Sequence, residues 1–411
     1  MAGTAQSDLY YSLVRRLGYA VGLEYLTERV SDVVEVFLAK GSLDWSDWRY
    51  LVQDKWQRKP SAERHIADVY SQLDIVRRQR NTIHPLPGLE ALAVLVSTPN
   101  PLARDRTTDQ AELVRYISLL KVLEADGDIF LNALLASFSP SHLRAKLSLM
   151  IRHKRRSIAP YFPQAGSIRR LMDAISIRNQ STEATATVAK QTYAQKSRLL
   201  MSQPESVSGP NWVEQDIHVS DDYLEKVCVT RRGWAEDFGL FERAGAVTTV
   251  RGDALISRLR ALGMHQGEGK DSFFAFWPYP FQLARLGLKP KDVGASEATP
   301  WDLALVTSLT MSDNAGNERR SIDRQLLIRM LNLTFERFQL IGQRGVLRHE
   351  LPLYIAEPVL AWWLVGQSTS TIDFRGFLKE ELSRTDRRLD YVNIRGTEGG
   401  VRLMQVVGGG A

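Results

Sequence analysis

The segment TRRGWAEDFGLFERAGAVTTVRGDALISRLRALGM spans Thr230–Met264 and decides the fold that the sequence predicts. Trp234 and Phe238 lie four residues apart, which places both side chains on one face of a helix. Gly239 follows them directly, and glycine readily adopts the left-handed conformation in which many helices end. We therefore expect a helix that stops at Gly239.

A short hairpin and another helix are predicted to follow. Leu240–Phe241 starts an extended segment, Ala244–Gly245 forms the turn, and Ala246–Val250 returns as a second strand. Gly252 then opens a helix, because leucines recur behind it at helical spacing. The order is therefore helix, short hairpin, helix.

A second segment, residues 64–96, shows the same order. A helical pattern ends at Leu73, a strand begins at Ile75, and the chain returns at Ile83 after a basic turn. Gly88 then precedes another helix. The returning strand lies five residues before the glycine here, as Val247 does before Gly252, so we interpret the two segments as an internal repeat with Gly88 on Gly252.

Both segments, at about 64–96 and 222–264, resemble the end of bacterial winged helix-turn-helix domains. Such domains often have Gly-Leu after a helix, a short hairpin, and then threonine or proline and a glycine before a last helix. Gly239-Leu240 with Thr248, Thr249 and Gly252 matches this pattern, whereas the first copy has Asp74 where glycine is usual. The resemblance covers about a third of the chain. It implies a mainly α fold with short β-hairpin wings and multiple winged-helix-like modules.

The chain is predicted to form two halves. Residues 1–180 form a helical half with a winged-helix-like module near 45–96 and a basic helical segment at 141–180. Residues 181–210 are rich in small polar residues and are predicted to be a linker. The second half, 211–411, is predicted to hold further modules near 212–265, 321–407 and, with a weaker match, 273–310.

Two local features refine this outline. Asp44 or Ser46 is expected to cap the helix that carries Trp48, whose indole is expected to pack in the core. The helical region 109–138 is expected to be interrupted at Ala125–Asp128, with Asp128 capping the helix that follows.

Cations on the predicted wings and on the basic segment are the candidate DNA contacts, because lysine and arginine neutralise backbone phosphates. No acidic residue interrupts Lys146–Arg170. A solvated basic turn at 77–80 and a solvated helix end are the alternative interpretations of these elements. The candidate residues are Arg77, Arg78, Arg80, Arg152, Lys154, Arg155, Arg156, Arg169, Arg170, Arg231, Arg232 and Arg251.

Composition argues against a disulfide-stabilised protein and against a membrane-spanning one. The chain has 411 residues, a net charge of +6 and one cysteine, Cys228. A single cysteine excludes a disulfide framework within one chain. No apolar run approaches the roughly 20 residues of a membrane helix, so we expect a cytoplasmic protein with no membrane partner.

The sequence shows no catalytic motif. Its seven histidines are scattered, and neither a His-Glu-x-x-His pair nor a phosphate-binding loop occurs. We therefore expect no cofactor, no metal and no small-molecule substrate. The closest approach to a nuclease is Asp253 with Glu268 and Lys270, since two carboxylates and a lysine can hold a divalent ion and orient water.

The expected function is a non-catalytic double-stranded DNA-binding subunit with tandem winged-helix modules. It resembles the DNA-recognition or adaptor subunits of bacterial restriction and anti-phage assemblies, which implies protein partner subunits. One alternative is a protein-interaction scaffold, anchored by the aromatic residues of Phe273–Tyr279 and by Trp362–Trp363. The other is a metal-dependent nuclease.

Overall fold

A computed structural model describes residues 25–79, 81–97, 110–161, 213–214, 219, 221–242, 244–275, 290–294, 300–311, 324–342, 350–352, 359, 380, 384, 389–392 and 400–403. Helices make up most of this part of the chain, and its strands are short and antiparallel. The predicted mainly α fold with short hairpins is confirmed at this level. None of the described helices is long and apolar enough to cross a membrane.

Contacts between Cα atoms group the chain into two compact units. We name the units by their position along the sequence. The central unit contains Met1–Leu26 and Lys121–Thr299, and the outer unit contains Thr27–Leu120 and Pro300–Ala411. This division differs from the predicted halves 1–180 and 211–411, because segments from both sides of the predicted linker pack together within the central unit. The linker itself, 181–210, lies outside the described residues.

The first part of the outer unit consists of helices around a small sheet. In chain order its elements are α1 (Leu26–Lys40), β1 (Leu43–Asp44), α2 (Trp45–Arg49), a π-helical turn (Tyr50–Lys55), α3 (Ala62–Gln72), β2 (Val76–Gln79), β3 (Thr82–Pro85) and α4 (Pro87–Ser97). The three strands are antiparallel in the order β1–β3–β2. The β2–β3 hairpin is therefore extended at one edge by β1.

Asp44 caps α2, as the sequence predicts. Its carboxylate accepts hydrogen bonds from the backbone N–H groups of Ser46 at 2.7 Å and Asp47 at 2.9 Å. Asp47 accepts in return from the N–H of Asp44 at 3.2 Å, which completes a capping box. The predicted core residue Trp48 is fully buried, and its indole N–H donates to the carbonyl of Glu63 at 3.0 Å.

The hairpin turn is tighter than the predicted basic turn at 77–80. Arg77 and Arg78 lie within β2, and Gln79 still pairs with Thr82. The reason is backbone pairing. Each residue of β2 pairs with a residue of β3, and an open turn at 77–80 would leave these backbone groups unpaired.

Helices α3 and α7 (Asp221–Asp237) end in the same way. The residues that follow them in the left-handed conformation are Asp74, with φ of 60°, and Gly239, with φ of 68°. Their N–H groups donate to the carbonyl three residues earlier, at 3.3 and 3.0 Å. The N–H groups of Ile75 and Leu240 donate to the carbonyl five residues earlier, at 2.9 and 2.8 Å. This is the Schellman pattern, in which aspartate takes the place of glycine in the first copy.

The next helix starts against this turn in both segments. Gly88 is the second residue of α4, whereas Gly252 is the third residue of α8 (Val250–Ala261). The predicted superposition of these glycines is therefore off by one position. Each nevertheless has the same role, because a Cβ would collide with the backbone carbonyl oxygen of Asp74 or Leu240, respectively.

The second predicted hairpin is reduced to one bridge, between Phe241 and Thr248. The chain turns into α8 earlier than predicted, because Thr249 caps that helix. Its hydroxyl accepts from the N–H of Gly252 at 3.0 Å and donates to the carbonyl of Gly239 at 2.7 Å. Val250, predicted to end a strand, is already helical.

Helix α5 (Gln110–Leu135) runs without a break through the predicted interruption at 125–128. Asp128 does not cap a helix start, and the carboxylates of Asp126 and Asp128 are both buried. Aspartate and glycine are weak helix formers, yet buried partners for the two carboxylates override this local preference.

A hairpin after α8 is fixed to the helices of the central unit. Its strands are β4 (His265–Gln266) and β5 (Phe273–Phe274). The buried amide of Asn132, in α5, donates to the carbonyl of Phe274 at 2.8 Å and accepts from its N–H at 3.0 Å. Lys146, in α6 (Pro140–Ile158), donates to the carbonyl of Ser272 at 2.7 Å. Phe273 and Phe274 are thus buried in a hairpin that follows α8. Of the predicted third module at 273–310, residues 276–289 and 295–299 lie outside the described residues.

The rest of the outer unit holds a second three-stranded sheet. Its elements are α9 (Pro300–Met311), α10 (Arg324–Gly342), β6 (Glu350–Pro352), β7 (Leu389–Val392) and β8 (Gly400–Leu403). The strand order is β6–β8–β7, which corresponds to the order β1–β3–β2 of the first sheet. The amphipathic helix predicted at 321–341 and the two strands predicted around the C-terminal glycine turn are confirmed.

Replacing Gly252 with alanine is expected to lower the free energy of unfolding by about 1–3 kcal/mol, because the added methyl group overlaps a backbone carbonyl that cannot rotate away. Chemical denaturation followed by circular dichroism measures the change. Gly245→Ala is the matched control, since its Cβ would meet only the ends of the Val247 and Glu242 side chains and no backbone atom. Equal stability of the two variants would contradict the proposed close approach.

Cys228 is expected to be unreactive in the folded protein. The thiol is buried in α7, and burial raises its pKa to about 12, against the smaller opposing effect of Arg231. At pH 8 the reactive thiolate is then roughly one part in ten thousand. We expect a disulfide reagent such as DTNB to label the native chain very slowly and the denaturant-unfolded chain at once. Rapid labelling of the native chain would show that the thiol is accessible.

Candidate nucleic-acid interface

Helix α3 has one polar side. Arg64 is exposed, and Asp68 is half-buried one turn later on the same side. The opposite side is formed by Ile66, Val69 and Tyr70, which are all buried. The helix therefore packs through its apolar side and keeps a cation on its free side.

The two arginines of β2 lie on opposite faces of the sheet, because successive side chains of a strand alternate between the faces. Arg78 shares a face with Val76, which is fully buried, and Arg78 itself is half-buried. Arg77 lies on the other face and is exposed. The third arginine of this hairpin, Arg80, lies outside the described residues.

Arg78 lies close to both α2 and α3. Its guanidinium carbon is 4.3 Å from the centroid of the Trp45 ring. Burial lowers the pKa of Arg78 and Arg64 adds to this effect, while Asp68 and Glu63 oppose it. Burial raises the pKa of Asp68, and Arg78 counteracts that rise. Charged groups from one helix and one strand are therefore electrostatically coupled at this surface.

Arg64 was not among the residues singled out by sequence reasoning. The sequence pattern could have identified it, because Arg64 and Asp68 lie four residues apart on one side of the predicted helix, and the apolar residues Ile66, Val69 and Tyr70 lie on the other side. Within the part of the chain that the structure describes, neither Arg64 nor Arg77 forms an ion pair. Both cations can therefore contact an external anion without breaking an ion pair to a described residue.

The predicted basic segment of α6 is largely turned inward. Lys154 is fully buried, and its ammonium lies 2.7 Å from the carboxylate of Asp128, which is also fully buried. Burial lowers the pKa of Lys154, and Asp128 opposes this shift. Arg155 is buried as well. Buried side chains cannot reach a phosphate, so Lys154 and Arg155 are removed from the candidate interface.

The more exposed arginines of α6 share an acidic partner. Arg156 makes two hydrogen bonds to Glu214, at 2.9 and 3.0 Å, and Arg152 lies 3.4 Å from the same carboxylate. Their positive charge is therefore partly neutralised within the central unit. Arg169 and Arg170 lie outside the described residues.

The candidate arginines of α7 are also engaged within the protein. Arg231 is fully buried and makes two hydrogen bonds to Asp126, at 2.8 and 3.0 Å. This burial removes it from the candidate interface. Arg232 pairs with Glu236 at 2.9 Å one turn along the helix. Arg251 is half-buried in the first turn of α8.

The residues of the nuclease alternative do not lie on a common strand. Asp253 is in the first turn of α8 and accepts a hydrogen bond from the Thr248 hydroxyl at 2.6 Å. Glu268 precedes the short 3-10 helix Gly269–Asp271, which contains Lys270. Among the described residues, no group of three or more His, Cys, Asp or Glu side chains is placed to hold a metal ion.

Comparison of the chain with known protein families, with curated proteins and with solved structures gives no match. The contacts and burial of the described residues are therefore the basis for a functional proposal. They place Arg64 and Arg78 close enough to interact electrostatically in the outer unit, and they leave Arg77 exposed on the other face of β2. Most candidate cations of the central unit are buried or paired.

Replacing Asp126 with alanine is expected to cost about 3–5 kcal/mol of unfolding free energy, because Arg231 then remains buried without its main carboxylate partner. The double variant Asp126→Leu, Arg231→Met is expected to be less destabilised than the single one, since it leaves no buried charge. Urea denaturation monitored by tryptophan fluorescence measures both.

The control for this pair is Glu214→Ala, which removes the carboxylate from an exposed ion pair. Exposed pairs contribute at most about 1 kcal/mol, so this variant is expected to unfold close to wild type. If Glu214→Ala and Asp126→Ala were equally destabilised, the special cost of the buried pair would be refuted.

Proposed function

We propose that the chain is a cytoplasmic, non-catalytic subunit that binds double-stranded DNA through a winged-helix module at residues 26–85. The order α1–β1–α2–α3–β2–β3 supports this proposal, since two helices joined by a turn precede a hairpin that can act as a wing. In such modules the second helix of the pair enters the major groove, and flanking elements contact phosphates. Here that helix is α3 and the wing is β2–β3.

One observation carries the proposal: the polar side of α3 presents Arg64 and the wing presents Arg77, and neither of these exposed arginines has an ion pair with any described residue. Cations that are not already neutralised release counterions from DNA when they bind phosphates, which supplies most of the affinity. The basic run of α6 lacks this property, because its charges are buried or paired.

Tandem modules are part of the proposal. The second sheet of the outer unit follows the helix α10 and has the same strand order as the first, which supports a further winged-helix-like module at 321–407. The segment 212–265 shares its helix cap with the first module but has its arginines engaged in internal contacts. We assign this segment a packing role.

A protein-interaction scaffold is the second candidate function. The central unit exposes Val229 at 66% and Val250 at 89% of their surface, and exposed apolar side chains favour protein contacts over contacts with phosphates. Both functions are compatible with an adaptor subunit of a bacterial restriction or anti-phage assembly, a role that rests on the resemblance in sequence.

Binding of fluorescent duplexes of about 30 base pairs tests the DNA proposal. Fluorescence anisotropy at about 50 and 200 mM salt gives the affinity and its salt dependence. We expect the wild type to bind with a steep salt slope. Changing both Arg64 and Arg77 to alanine is expected to weaken binding and to reduce the slope by about 0.9 for each phosphate that the variant no longer neutralises.

The matched control is Arg152→Ala with Arg156→Ala, which removes the same charge from arginines that contact Glu214. We expect this control to bind nearly as tightly as the wild type. An equal loss in both double variants would indicate a response to net charge alone. Absence of wild-type binding at low salt would refute DNA binding by the isolated chain.

A further inference from the structure

Arg78 differs from Arg64 and Arg77 because an aromatic ring holds its guanidinium in place. The guanidinium carbon lies 4.3 Å from the centroid of Trp45. A planar guanidinium at this distance from an aromatic face stacks on it, which restricts the directions of its N–H groups. An exposed arginine on a free side chain loses more conformational entropy on binding than one that is already oriented.

The surroundings of Arg78 connect the two elements of the proposed interface. Its strand places it on the side of the sheet where α3 lies, and it interacts electrostatically with Asp68, Glu63 and Arg64 of that helix. Trp45, its stacking partner, is the first residue of α2. Arg78 therefore lies where α2, α3 and the wing meet.

Arg78 differs from Arg231 in how deeply it is buried. Arg231 also lies over a tryptophan ring, at 4.9 Å from Trp234, but it is fully buried and bound to Asp126. Arg78 is only half-buried, so part of the residue is accessible to solvent. Arg78 is therefore not sealed inside the core, as Arg231 is.

We infer that Arg78 is a preoriented donor to two adjacent acceptor atoms on duplex DNA, and that Trp45 is its positioning residue. This inference rests on the proposed function and deepens it. A guanidinium offers two parallel N–H groups, which match either O6 and N7 of a guanine or two oxygens of one phosphate. The first acceptor pair gives sequence preference, and the second gives affinity for every sequence.

The test compares Arg78→Lys, Arg78→Ala and Trp45→Leu with the wild type on duplexes selected from a randomised pool. Arg78→Lys keeps the charge but loses the planar fork. Trp45→Leu keeps Arg78 and removes only its stacking surface. Arg77→Lys is the matched control, because it makes the same exchange one residue away at an exposed position. Circular dichroism establishes that each variant is folded.

A guanine contact predicts that the wild type prefers guanine at one position by about tenfold or more. Arg78→Lys and Trp45→Leu then lose that preference, and Arg77→Lys keeps it. A phosphate contact predicts that Arg78→Ala weakens binding to all sequences and lowers the salt slope by about 0.9, while Arg78→Lys restores the slope. In both cases Trp45→Leu reduces affinity although no charge is removed.

Two results would overturn the inference, and they are distinguishable. If changing Arg64 and Arg77 weakens binding but all variants at Arg78 and Trp45 bind like the wild type, Arg78 has a structural role and the DNA-binding function stands. If the wild type binds no duplex even at low salt, the proposed function fails and the inference fails with it. Should Trp45→Leu not fold, Arg78→Lys against Arg77→Lys decides the guanine contact, and Arg78→Ala against Arg78→Lys decides the phosphate contact.

Discussion

The central unit depends on two buried ion pairs that start from the same turn of one helix. Asp126 and Asp128 project from α5, where they meet Arg231 of α7 and Lys154 of α6. All four side chains are completely buried, so each charge would be costly to remove from water without its partner. The pairs therefore constrain how the three helices can pack. Any rotation of α5 that exposed one carboxylate would leave a cation buried without its counterion.

The same pairs determine which cations remain for other functions. A run without acidic residues from Lys146 to Arg170 looks like a binding surface when only neighbours in sequence are considered. The helix nevertheless turns Lys154 inward, toward an aspartate 26 residues earlier in the chain. Charge density along the sequence therefore overestimates the charge that solvent meets, and burial identifies the smaller set on α3 and the wing.

Local signals explain most of what the sequence predicted correctly. The stop at Gly239, the cap at Asp44 and the C-terminal pair of strands each follow from a few adjacent residues, whose backbone preferences act over short distances. The continuity of α5 through Asp126 and Asp128 could not be predicted in this way. Its cause lies in partners far away, and Arg231 is 105 residues from Asp126. Pairing at that separation depends on tertiary packing.

The repeated helix cap shows why backbone resemblance and function must be argued separately. Asp74 and Gly239 close their helices with the same hydrogen bonds, and a glycine follows close behind in both segments. The helices before the two caps nevertheless differ in their surfaces. Helix α3 presents Arg64 to solvent, whereas α7 buries Arg231. The cap is made by backbone N–H and carbonyl groups alone. It therefore places no constraint on the side chains at the solvent-facing side of the helix. A resemblance carried by the cap can therefore indicate a module, and the free side chains decide whether that module can contact DNA.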